Sequence, residues 1–133
     1  MTFRDVTPDD YKVLYAMLLD RRPELNISHK TMPEYNKHCE FWDNNPYPTV
    51  KMIENKNRLL GYFYLTRLNE IGLFLIEFDE ELFRRLLIEI LKTYSDRRLL
   101  VNISINNTEY QRVFVGCGFK MIQQTYELDR TYV

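Results

Sequence analysis

The stretch "LFLIEFDEELFRRLLIEIL", residues 73–91, joins an apolar run to a helical pattern whose first turn carries Asp79, Glu80 and Glu81. A helix N-terminus beside a strand end is a natural anion site, because free N–H groups and the helix dipole converge there. Three carboxylates at that place are ordinary capping, favourable to the dipole. They also repel a phosphate. No glycine lies between Gly72 and Gly116 to let the backbone close around one.

Other side chains capable of chemistry are few. Tyr35, His38 and Trp42 share one side of a helical pattern, where the histidine is a satisfied, half-buried ring or part of a pocket wall. His29, in the preceding connection, reads as exposed. Cys39 and Cys117 are the only cysteines. They form no CxxC and have no histidine at ligand spacing, so no metal site is expected. Cys117 reads as a small core residue rather than a nucleophile.

At 133 residues the chain is expected to be a single domain, 1–133, able to bury a core without metal or disulfide. The net charge of -1 and a pI near 6.1 argue against nucleic acid and anionic membrane as partners. Neither a signal-like N-terminus nor an apolar run of spanning length occurs, so a reduced, cytoplasmic protein is expected. The aromatic share, 14% with ten tyrosines, suggests a pocket or an interface. It leaves room for a homodimer.

The elements that would carry these residues follow from periodicity. "TFRDV" is an edge-like strand, and "TPDD" starts a helix with Thr7 as N-cap and Pro8 at its first position. Val13, Leu14, Met17 and Leu18 give that helix its apolar stripe. "TMPE" opens a second helix, with Thr31 and Glu34 at capping-box spacing. "TVKMIEN" and "RLLGYFYLT" form a hairpin about Lys56-Asn57. "NEIGLFLIE" is a third strand in which Gly72 marks a bulge or close approach. A helix from Asp79, a buried strand "RRLLVNIS", a helix capped by Asn107 and closed by Gly118, and a final strand "FKMIQQTYEL" complete the chain. The expected class is α/β (α+β), in the order β-α-α-β-β-β-α-β-α-β. Its sheet is antiparallel in the first half, with one parallel, splayed strand pair where a crevice suits a ligand.

That order, with the segments "VNISINNTEYQRVFVGCGF" and "NEIGLFL", resembles the GNAT superfamily of acyl-CoA N-acyltransferases over nearly the whole chain. The resemblance implies acetyl-CoA or another acyl-CoA as cofactor, held along Leu73, Phe74 and Leu75 and at the helix opened by Asn107. It implies an amine acceptor, a small molecule or a protein, in a pocket walled by Tyr35, His38 and Trp42. It gives Glu70 the place of the carboxylate that takes the amine proton through water. Tyr110, one turn before Phe114, is the hydroxyl nearest the family's proton-donating tyrosine. Phe114 itself stands at that tyrosine's place and has no proton to give.

The chain departs from the family at the pyrophosphate loop, where [QR]-x-x-G-x-[GA] is replaced by "IEFDEELFRRLL". Two readings follow. One is an acyl-CoA-dependent N-acyltransferase with substitute phosphate donors such as Arg84 or Arg85. The other is a GNAT-fold binding or assembly module that no longer holds CoA in the usual way. Paired strands around Leu75 and Val101 would favour the module, and splayed ones the enzyme.

Overall fold

Thr7 and Pro8 start the first helical segment, as their types demand: a 3-10 turn, Pro8–Asp10, runs into α1, Tyr11–Asp20. Asp10 accepts from the Thr7 backbone N–H at 2.8 Å and binds both terminal nitrogens of Arg4 on β1, Thr2–Asp5, at 2.8 Å each. Arg4 also pairs with Glu54, so β1 and the start of α1 are pinned together. The computed structural model describes residues 1–20 and 32–132. The expected capping role of Thr31 and the exposure of His29 lie outside the described residues. The second helix, α2, is Tyr35–Asp43, with Glu34 as its N-cap.

Strands β2, Thr49–Asn55, β3, Arg58–Leu65, and β4, Ile71–Leu75, follow. Lys56 and Asn57 both adopt positive φ, the two-residue turn whose twist suits a hairpin. The sheet order is β1-β2-β3-β4, every neighbour antiparallel, with one irregularity between Ile53 and Glu54. Successive side chains point to opposite faces. Phe63, Leu65, Ile71 and Leu73 therefore join a core with Phe83, Leu86, Leu87, Ile90, Val113 and Phe114. Tyr62 and Met52 face the other way, onto Leu14, Met17 and Trp42.

The first core is covered by α3, Glu80–Thr93, and α4, Thr108–Gly116. Asp79 caps α3 by accepting from Leu82 N–H at 3.1 Å, and Asn107 caps α4 by accepting from Tyr110 N–H at 3.1 Å. Gly118, at φ 104, ends α4. Phe119 N–H then bonds to Phe114 O and Gly118 N–H to Val115 O, each at 3.0 Å, with the Phe119 and Phe114 rings 5.1 Å apart. Those are the paired bonds and apolar contact of a Schellman stop.

Two expected elements are not formed as expected. "RRLLVNIS" makes no ladder; a single parallel bridge joins Leu100 to Glu70. "FKMIQQTYEL" pairs with no strand among the described residues, and Lys120–Leu128 is exposed throughout. A strand needs a neighbour's backbone to satisfy its own, and neither segment has more than that one bridge. Gly72 marks a close approach without a bulge: it stays in register opposite Tyr64, and a Cβ there would lie 2.1 Å from the Tyr64 ring.

Candidate functional site

The cleft begins where the parallel pair parts. Ile71 N–H bonds to Leu100 O at 2.8 Å, and Leu100 N–H to Asn69 O at 3.0 Å. Beyond that pair of bonds no ladder continues between β4 and residues 101–104. Strand alternation turns the amides of Leu73 and Leu75 to the same open side as Ile71. A crevice of about 550 Å³ opens there, within the range of small-molecule sites.

Glu70 sits at the apex of this wedge. One carboxylate oxygen accepts from Thr66 Oγ1 at 2.9 Å and the other from Asn102 Nδ2 at 2.5 Å. The carboxylate therefore bridges the end of the β3–β4 hairpin to the diverging segment. Thr66 Oγ1 in turn accepts from the backbone N–H of Glu70 at 3.0 Å, which fixes the rotamer. Neither Thr66 nor Asn102 was singled out by the sequence. Both are local strand-end polar residues, and their only advance signal is adjacency to the expected strand ends.

Tyr110 stands further along β4, where its hydroxyl donates to Leu73 O at 3.0 Å. Its ring lies 4.7 Å from that of Phe83 and 6.4 Å from that of buried Phe114. From Glu70 to Leu73 is three strand residues, or about 10 Å. A carboxylate and a phenol thus stand toward opposite ends of one open strand edge. Asn107 and Phe114 line the same cleft, with Leu73 and the side chain of Phe74. Leu75 does not line it.

The other wall comes from α2. His38 and Trp42 are buried and line the cleft. Tyr35 does not; it is partly exposed and stacks on His38 with ring centroids 6.1 Å apart. His38 Nε2 lies 3.1 Å from Tyr11 O. A carbonyl only accepts, so Nε2 carries the proton in the neutral ring. Burial pushes the His38 pKa below its ordinary 6.5, against the weaker opposing effect of that bond. Tyr11 fastens the two helices by donating its hydroxyl to Asp43 at 2.8 Å, and burial with this bond pushes its phenol up to about 12.

An aromatic floor completes this wall. Tyr47 and Tyr64 stack with centroids 3.8 Å apart and planes 5° from parallel, and Tyr62 and Phe74 adjoin them. Tyr62 and Tyr64 share a face by the alternation in "YFYL", a signal present in the sequence but not used. Glu70 and Lys37 are the charged residues among the described lining.

The start of α3 is neutralised from within. Arg112 of α4 binds Glu80 at 2.5 Å and Arg84 binds Glu80 at 3.3 Å and Glu81 at 3.6 Å. Arg112 and Arg84 hold the Glu80 carboxyl below its usual range, Arg112 the more strongly. Arg112 was not foreseen, because its partner lies thirty-two positions away. Among the described residues no group of His, Cys, Asp and Glu could hold a metal, and no helix is long and apolar enough to cross a membrane.

No known protein-family profile matches the chain, and no curated protein matches it in sequence. Solved structures do match. A domain from Methanocaldococcus jannaschii superposes with a TM-score of 0.73 at 21% identity, over 95% of this chain and 92% of that one. A ribosomal-protein-alanine N-acetyltransferase from Brucella melitensis gives 0.65 at 19% identity, over 90% and 85%. A spermidine N-acetyltransferase from Vibrio cholerae, in complex with CoA and spermine, gives 0.67 at 14% identity, over 88% and 79%. The splayed strand pair, the two helices behind it and these superpositions give the chain the fold of the GNAT superfamily of N-acetyltransferases.

Proposed function

We propose that the chain is an acyl-CoA-dependent N-acyltransferase whose acceptor is an amine with a single positive charge on an apolar or aromatic body. The observation that carries this reading is the wedge between β4 and residues 101–104, with Glu70 at its apex and Tyr110 further along the same edge. The residues present fit the acyl-bearing arm of the cosubstrate: the open side of β4 offers the amide of Leu73. They fit its diphosphate less well, because Glu80 already occupies Arg84 and Arg112.

In this reading Glu70 takes the amine proton through a water, and the freed nitrogen attacks the thioester carbonyl. The Leu73 amide meets the charge that develops on the carbonyl oxygen. As the C–N bond forms and the C–S bond breaks, Tyr110 gives its hydroxyl proton to the departing sulfur and is restored from solvent. The acceptor class follows from the wall. Phe41, Trp42, Tyr47, Tyr62 and Tyr64 offer ring faces, which attract one cation and bury an apolar body. A polycation would ask for several carboxylates, and the described lining holds one.

A second reading, a module that no longer transfers acyl groups, draws support from the self-neutralised start of α3. Calorimetric titration of acetyl-CoA and free CoA separates the two. Binding at about 100 μM, worth roughly 5.5 kcal/mol, supports the enzyme. Absence of heat at millimolar cofactor supports the module. With binding established, turnover of phenethylamine in preference to spermidine would support the acceptor class; the reverse preference would refute it.

A further inference from the structure

Glu70 is tied from both sides of the wedge, once locally and once across it. We propose, on the function inferred above, that Asn102 is a positioning residue for acyl transfer. It reaches over the parting strands to fix the plane of the Glu70 carboxylate, so that the base faces the cleft.

Thr66 supplies the local tie. Its hydroxyl donates to one Glu70 oxygen at 2.9 Å and accepts the Glu70 backbone N–H at 3.0 Å. A carboxylate held by one oxygen alone still pivots about that bond. Asn102 Nδ2 donates to the other oxygen at 2.5 Å, from a segment thirty-two positions on. Two bonds on two oxygens fix a plane. An ionised carboxylate offers about four lone-pair positions, so about two are left for a water. It only accepts, so Nδ2 rather than Oδ1 of the amide must face it.

The Asn102 bond is not needed to join the strands. Ile71 N–H to Leu100 O, at 2.8 Å, and Leu100 N–H to Asn69 O, at 3.0 Å, already close the apex through the backbone. Asn102 lies two residues further out, on an exposed side chain that lines the cleft. There its hydrogen bond replaces one with water and adds little to stability. What it changes is where the carboxylate points.

Both ties are also neutral. Glu70 is in no ion pair among the described residues, and Lys37 of α2 is the other charged residue of the described lining. A guanidinium or ammonium on Glu70 would cancel the charge that a proton acceptor needs. An aspartate at position 102 would set a second negative charge against it. An amide orients the carboxylate without doing either.

The test is steady-state kinetics with acetyl-CoA and phenethylamine on wild type, Asn102→Ala, Glu70→Gln and the double variant. Asn102→Ala should lower kcat at least about tenfold, toward the roughly 10²-fold that a misplacement of about 1 Å costs. KM for acetyl-CoA should stay unchanged, because the β4 edge is untouched. In the Glu70→Gln background Asn102→Ala should cost nothing further, since no base is left to aim. Losses that multiply in the double variant, or a raised KM in place of a lowered kcat, would overturn the assignment of Asn102 alone. Wild-type turnover in Glu70→Gln, or no turnover by wild type, would overturn the proposed function and this assignment with it. NMR reads the bond itself without turnover. One Asn102 Nδ2 proton should lie downfield of the other side-chain amides and move back in Glu70→Ala; an unmoved resonance would also overturn the proposal. Circular dichroism identical to wild type shows that a loss in any variant is not loss of fold.

Discussion

Tyr110 donates its hydroxyl hydrogen to the carbonyl oxygen of Leu73 at 3.0 Å, and so ties α4 to the open edge of β4. The bond holds the phenol inside the cleft from the first turn of α4, where Asn107 caps the Tyr110 N–H. Phe114, on the same helix face, is buried against Phe83 and Phe119 and keeps the Tyr110 ring from sinking further into the core.

Replacing Tyr110 by Phe removes the hydroxyl and leaves the ring contacts. Stability should fall by about 1 kcal/mol, the net worth of one hydrogen bond. Under the proposed function turnover should fall about 10²-fold or more, because the leaving sulfur loses its proton source. A lowered melting temperature with unchanged turnover would leave Tyr110 as a tie between α4 and β4 and nothing more.

Gly72 sets the aromatic wall. A Cβ at this position would lie 2.1 Å from a ring carbon of Tyr64, and Tyr64 is itself stacked on Tyr47 at 3.8 Å. Gly72→Ala must therefore displace the ring and open the stack. The expected cost is about 1–3 kcal/mol in denaturant unfolding, typical of overpacking. Adding Tyr64→Leu, which withdraws the ring, should recover part of that cost in a double-mutant cycle. Simple additivity of the two losses would show that the ring and the missing Cβ do not compete for space.

Much of this architecture could be read from the sequence, for physical reasons that also mark where reading stopped. Helix starts at Pro8, Asp79 and Asn107 are local: a cap, an acid or proline, and an apolar stripe lie within one or two turns. The Lys56-Asn57 turn and the Gly118 stop depend on single residues that accept positive φ. The strands predicted at residues 97–104 and 119–128 have strand composition, but pairing is a property of two segments, and their composition does not disclose a partner. The same holds for the site. His38 and Trp42 could be singled out by type and spacing, and Glu70 and Tyr110 through the resemblance. Asn102 on Glu70 and Arg112 on Glu80 each span thirty-two positions, and only the tertiary fold brings them together.

Acid should destabilise the chain in two windows. The folded His38 pKa lies below 6.5 because the ring is buried. The unfolded chain then binds the proton first, so stability falls as pH drops below about 6.5 and levels off once the folded ring is also protonated. Asp10 behaves as a carboxylate held below its ordinary 3.8 by its bonds to Arg4. Its contribution is present above that value and is lost as pH falls through the lower folded pKa. His38→Gln keeps a donor for Tyr11 O and cannot titrate, so melting temperature against pH should flatten in the upper window alone. An unchanged slope there would assign the effect to another group.

Glu80 is the residue on which cofactor affinity should turn. Its carboxylate holds Arg112 at 2.5 Å and Arg84 at 3.3 Å, both within reach of the α3 N-terminus. A diphosphate approaching that terminus meets the negative charge of Glu80 and finds the two guanidinium groups already engaged. Glu80→Gln removes the charge, keeps the side chain's length and releases Arg112 for a phosphate, which a guanidinium binds in bidentate fashion, while Arg84 keeps its pair with Glu81. Asp79, which caps the helix through Leu82 N–H, is untouched, so the fold should survive. The dissociation constant for CoA should therefore fall severalfold in Glu80→Gln, and the gain should shrink in high salt as screening weakens the phosphate contacts. Arg112→Gln made in the same background should abolish the gain. Equal CoA affinity in wild type and Glu80→Gln would place the diphosphate elsewhere, and the acids of α3 would then be caps alone.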